Sequence, residues 1–162
     1  MTIRPAAVVT AAALTFTAAA SAATPAHADD RGSVQITSGE FHTLPGGTDL
    51  DYDIGGRAVM VRLPHRTLVR VHVEGLDADT TYPAHVHNAP CDASPAGGGH
   101  YQHEIGGPVD AVNEIWPIVT TSRHGRGHAQ VAHAHRARPE AQAIVIHYPD
   151  DTSIRLACVD LA

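Results

Sequence analysis

His85 and His87 stand two residues apart in the run Pro83-Ala84-His85-Val86-His87. On a β-strand the side chains at i and i+2 share a face, so these imidazoles would lie side by side, which is half of a metal site. Gly97, Gly98 and Gly99 immediately precede a third histidine, His100. Consecutive glycines mark backbone that must turn sharply, and Pro90 and Pro95 make the intervening stretch a loop. Such a loop can return His100 to the ion that His85 and His87 would hold. One His-x-His pair is weak evidence taken alone: a chain with 13 His in 162 residues contains about one by chance, and a motif needs context. A second pair, His133 and His135, makes the point.

The elements that must position these residues read as short strands. Residues 67–73 alternate, with Leu68, Arg70 and His72 on one face and Val69, Val71 and Val73 on the other, the pattern of a half-buried strand whose His72 faces out. Further strands are expected at 34–37, 57–63, 82–88, 114–121, 128–135, 142–148 and 153–161, with turns at 45–47, 75–79 and 123–127. Seven or eight short strands and no amphipathic helix predict an all-β fold, an antiparallel sandwich or barrel.

The length suits one domain with a real core. Residues 1–28 read as a secretory signal: Arg4 gives a positive start, 6–20 an apolar run, and Ala26-His27-Ala28 a small-residue cleavage site. The expected domain is then 29–162, exported and without a membrane span. A net charge of −6, with every cationic residue an Arg and no basic run, argues against a nucleic acid or acidic lipid partner. Cys91 and Cys158 are the two cysteines, and in an exported chain they most simply form one disulfide; a free thiol pair or soft metal ligation are the alternatives.

Across residues 67–160, the segments Gly75-Leu76, His85-Val86-His87, Cys91, Gly99-His100, Ile144-Val145-Ile146-His147 and Arg155-Leu156-Ala157-Cys158 fall in an order that resembles the secreted copper/zinc superoxide dismutases, and among them the copper-only branch. The resemblance implies an eight-stranded Greek-key barrel. It makes His85, His87, His100 and His147 the copper ligands, and Cys91 with Cys158 the family disulfide. Arg155 takes the place of the arginine beside the open copper position, and Arg155 and His100 become the catalytic pair acting on superoxide. Neutral imidazoles suit copper, and Cu(II) heads the divalent affinity order.

Two departures shape the expectation. The family's zinc set needs further histidines after the bridging one, whereas here His103 follows His100 by three residues and the next histidine is His124, so zinc is not expected. Glu104, Asp110 or Glu114 can accept a hydrogen bond from the second nitrogen of His100; similarity to the zinc-free branch selects Glu114. The segment between His147 and Cys158 is ten residues, 148–157, so the copper should be open to solvent. His103, His124, His128, His133 and His135 are expected at the surface or behind the ligands. A rival reading is a copper-storing protein on the same fold without turnover; Arg155 separates the two, because storage has no use for a cation beside an open coordination position.

Overall fold

The computed structural model describes residues 32–161; the signal segment inferred for 1–28 lies outside them. Ten strand segments and one four-residue helix are found among the described residues: β1 (Gln35–Glu40), β2 (His42–Thr43), α1 (Pro45–Thr48), β3 (Gly55–Leu63), β4 (Arg66–Glu74), β5 (Thr81–Tyr82), β6 (Ala84–His87), β7 (Val119–Thr121), β8 (Gly127–His133), β9 (Ala143–His147) and β10 (Arg155–Asp160). They form two antiparallel sheets, one ordered β1-β3-β4-β8-β7-β5 and the other β2-β10-β9-β6.

The edge strands of the large sheet run directly into the edge strands of the small one. β1 passes into β2 at Phe41, and β5 into β6 at Pro83, which has no N–H to continue a ladder. Counting each continuous run as one strand reduces ten segments to eight, in agreement with the strand count read from the sequence. β8 lies beside β4 although three strands intervene along the chain, the crossover of a Greek key.

The period of two in β4 is realised as read: Val69, Val71 and Val73 are buried while Arg70 and His72 are exposed. These valines join Met60, Tyr82, Val86, Tyr101, Ile144, Ile146 and Leu156 in the core between the sheets. β9 is different, since all five of its residues are buried. Ile144 and Ile146 point into the core. Ala143 and Val145 point the other way, into a smaller cluster with Leu44, Cys91 and Cys158. The outer face of the small sheet is therefore covered, and its cover is the loop of residues 88–99.

Two expectations are corrected. Residues 45–47 form the single turn α1 rather than a simple turn, packed so closely on β10 that a Cβ at Gly47 would stand 2.4 Å from the Leu156 carbonyl oxygen. Within 114–121 only β7 joins a ladder. Pro117 cannot donate to one, and the preceding segment instead fastens to β6 through the Val86 N–H, which donates to the Ile115 carbonyl at 2.9 Å.

Cys91 and Cys158 are joined in a disulfide across 67 residues of sequence, tying the covering loop to β10. A loop of that length corresponds to about 4 kcal/mol in the chain-entropy description. Urea unfolding of the Cys91→Ser, Cys158→Ser double variant should show a loss of that order, and a loss below about 1 kcal/mol would mean that the bond constrains little.

Candidate metal centre

Three of the candidate ligands come from the outer face of the small sheet. In the β6–β9 ladder His85 pairs with Val145 and His87 with Ala143, so both histidines share the outward face of those residues. His147 continues that face two residues beyond Val145, and Arg155 on β10 lies directly opposite His147. His100 arrives from the covering loop and forms an isolated bridge with His87. The bend that returns it relies on Gly97 and Gly98, with φ of +79° and +67°. A Cβ at Gly97 would approach Val145 to 2.7 Å, so a side chain there would meet both backbone strain and β9.

His85, His87, His100 and His147 each offer a ring nitrogen within 4.8 Å of the others. The outer nitrogens of three rings are occupied. Nδ1 of His87 donates to the Gly98 carbonyl at 3.3 Å, Nδ1 of His147 to the Thr152 carbonyl at 2.7 Å, and Nδ1 of His100 to Glu114 Oε2 at 2.7 Å. An oxygen acceptor fixes each proton on Nδ1, so each Nε2 presents a lone pair to the cluster. Nε2 of His87 and of His147 are 3.3 Å apart, two acceptors with no proton between them. That separation suits two nitrogens each about 2.0 Å from a common ion. Nδ1 of His85 is buried without a hydrogen-bond partner. A buried polar atom with no partner is costly in protein, and an ion between the rings would satisfy it together with the three Nε2 atoms. The donor set fits copper, for which imidazole is a suitable ligand.

Burial keeps His85, His87 and His147 neutral. Burial, with the like charges of His100 and His147, lowers His85 to about 4. Burial also lowers His147 to about 4; the Thr152 carbonyl opposes the shift and Arg155 adds to it. His87 is lowered further, by burial first and then by His100, His147 and Arg155. His100 retains 32% of its side-chain exposure and is the ring most open to water beside its buried partners His87 and His147.

Among the three carboxylates considered for His100, Glu114 is the partner. It is 1% exposed and also accepts from Trp116 Nε1 at 2.9 Å and Gln102 Nε2 at 3.1 Å. Burial raises its pKa, but the donors Trp116, His100 and Gln102 outweigh burial and hold it below the usual carboxylate value. Asp110 is used in its own turn, accepting from the N–H groups of Val112 and Asn113, and Glu104 is exposed. Arg155 is half-buried and donates to the Ala96 carbonyl, with its charge felt at His87 and His147.

The remaining histidines stay apart from the four. His124 and His128 are exposed. His103 stacks on His135 with ring centres 3.9 Å apart and planes 9° from parallel. His133, expected at the surface or behind the ligands, is not at the surface: it is 4% exposed, with Nε2 donating to the Val112 carbonyl at 2.7 Å. These rings secure the loop of residues 102–118, whose interior is clipped by Asn113: its carbonyl accepts the His103 N–H, its Oδ1 the Glu104 N–H, and its Nδ2 donates to the Glu104 and Pro108 carbonyls. Trp116 and Gln102 were not singled out from sequence. The available signal was the placement of the single tryptophan two residues after Glu114, beside the same carboxylate face of an extended segment.

No protein-family model matches the chain, and no curated protein does. Among solved structures, the Cu/Zn superoxide dismutase from Brucella abortus matches with a TM-score of 0.55 and 17% identity, over 79% of this chain and 100% of that one. The two folds are similar. At that identity the likeness concerns the fold, an all-β arrangement of two antiparallel sheets, and it accompanies a four-histidine cluster and a disulfide in this chain.

The lowered histidines give the metal-free protein an acid limit. An unfolded histidine titrates near about 6.5, while His85 and His147 do so at about 4 in the folded chain. Between those values the unfolded state binds more protons, so stability is complete above about pH 6.5 and falls as pH is lowered through the window. Urea midpoints of metal-free protein from pH 7 to 4.5 should fall steadily, and the His85→Ala, His147→Ala double variant should lose most of that slope. A flat wild-type profile would show that the rings are not held neutral.

Proposed function

We propose that the chain is a secreted, copper-dependent superoxide dismutase, converting two superoxide ions and two protons to dioxygen and hydrogen peroxide. The observation that carries this reading is the set of inward ring nitrogens within 4.8 Å of one another, on a fold similar to that of a Cu/Zn superoxide dismutase. Bound copper would supply the one-electron chemistry, its potential tuned by the residues around it.

The chain's own residues have distinct tasks in this scheme. His85, His87 and His147, kept neutral by burial, hold the ion as lone-pair donors. His100 is locked at Nδ1 by Glu114 and reaches water on its exposed side, so it is the imidazole suited to receive a proton from solvent at Nε2. Arg155 gives an otherwise acidic chain a fixed cation across the ladder from His147, which favours arrival of a small anion. A structural zinc is not part of the proposal: His103 is paired with His135, and among the described residues the four histidines are the group of three or more candidate ligands close enough to share an ion. Export is supported by the disulfide, a bond that persists in oxidising compartments.

The deciding experiment measures metal content and superoxide turnover on one purified sample loaded with both metals. We expect one copper per chain and no zinc that survives mild chelation; a firmly held zinc would overturn the copper-only assignment, and full copper without turnover would overturn the enzyme. Within that scheme Arg155→Ala should keep its copper, lose about tenfold in second-order rate, and depend less on salt than the wild type. Equal rates at equal copper occupancy, by pulse radiolysis at several ionic strengths, would reduce Arg155 to a strand residue.

A further inference from the structure

Glu114 is a buried carboxylate that has no Arg in ion-pair distance among the described residues, where its donors are His100 Nδ1, Trp116 Nε1 and Gln102 Nε2. Oε2 is shared, at 2.7 Å from His100 and 2.9 Å from Trp116, while Gln102 holds Oε1 at 3.1 Å. The carboxylate plane is thus fixed from three directions, and the plane in turn fixes the direction in which His100 must aim its Nδ1–H. Trp116 also stands edge-on to His85, with ring centres 5.7 Å apart and planes at 68°. Its neighbour Ile115 is fastened by its carbonyl to the Val86 N–H, on the strand that carries His85 and His87. One side chain therefore touches two of the four ligands, His85 by its ring and His100 through Glu114.

We propose that Trp116 is a positioning residue for the metal centre: its indole N–H orients Glu114, and through Glu114 it sets the tautomer and aim of His100. The inference rests on the four-histidine reading of the site. A packing role would place the one tryptophan of the chain in the core, where a large ring buries the most area. Instead it is half-buried at the edge of a polar cluster, and the core aromatics are Tyr82, Tyr101 and Phe41. Partners that orient a metal-bound histidine commonly alter metal affinity by about 10- to 100-fold when removed, and Trp116, acting through Glu114, belongs at the lower end.

The test removes the N–H while keeping the ring. Trp116→Phe is the direct variant. Because the chain contains a single tryptophan, biosynthetic replacement of tryptophan by benzothienylalanine changes this site alone and substitutes sulfur for N–H at nearly constant shape, which covers the case in which the phenylalanine variant folds poorly. Two readouts separate this inference from the function on which it rests. On metal-free protein, long-range proton–nitrogen NMR should show His100 as the Nδ1–H tautomer in the wild type, and a second tautomer in both modified proteins, with Nδ1–H exchange about tenfold faster. With Cu(II) as the probe, affinity should fall about tenfold and the copper EPR parameters should change, whereas the same Trp116 change made in Glu114→Gln should cause no further loss, since a residue that acts through one partner has no effect once that partner is gone. An unchanged tautomer and exchange rate would overturn the inference, as would full additivity with Glu114→Gln. A wild-type protein that takes up no copper would overturn the function, while the metal-free tautomer result would still decide the role of Trp116.

Discussion

Four imidazoles face one another, three of them held neutral by burial, with nothing between them that attracts. The Nε2 atoms of His87 and His147 present lone pairs at 3.3 Å, and the buried Nδ1 of His85 has no partner. Such an arrangement is unfavourable until a cation stands at its centre, so the backbone must impose it. Each of the other three rings is gripped on its far nitrogen by an oxygen from a different piece of chain: Gly98 in the covering loop, Thr152 before β10, and Glu114 in the segment before β7. These three oxygens tie the orientation of the rings to the placement of those loops.

The two sheets divide the labour unequally. The six-stranded sheet needs one apolar face, and its β4 alternates accordingly. The four-stranded sheet is used on both faces, with Ile144 and Ile146 inward and Val145 and His147 outward on the same strand. Covering the outward face requires the loop of residues 88–99 to lie flat on β9. The left-handed glycines Gly97 and Gly98 and the bond from Cys91 to Cys158 hold it there. The rigidity that places His100 is thus the same rigidity that shields Val145.

Much of this was legible before any coordinates. His85 and His87 share a face because a strand repeats every two residues, and the glycine bend before His100 announces a return of the chain. The apolar run 144–146 ending in His147 reads as a strand because it is buried on both sides. What escaped depends on contacts that periodicity does not encode. His133 belongs to a His-Ala-His alternation that looks exposed, and it is buried where the Val112 carbonyl and the rings of His103 and His135 meet it. Trp116 was hidden because residues 114–118 read as a strand, whereas the segment stays out of the ladder and Trp116 bonds back to Glu114. Resemblance to a zinc-free family, not spacing, selected Glu114 among three acids.

The loop of residues 102–118 is framed from within by amide and carbonyl groups, by Asn113 above all, and by the rings of His103, His133 and His135. Its outward side chains Ile105, Val109 and Val112 are 85%, 69% and 72% exposed and contribute little to that frame. Backbone clips are indifferent to what the outer side chains are. The chain can therefore accept change after change along this rim while Glu114 and Trp116 keep their places. Sequence drift of this kind erodes the resemblance between two proteins long before it moves a single ligand.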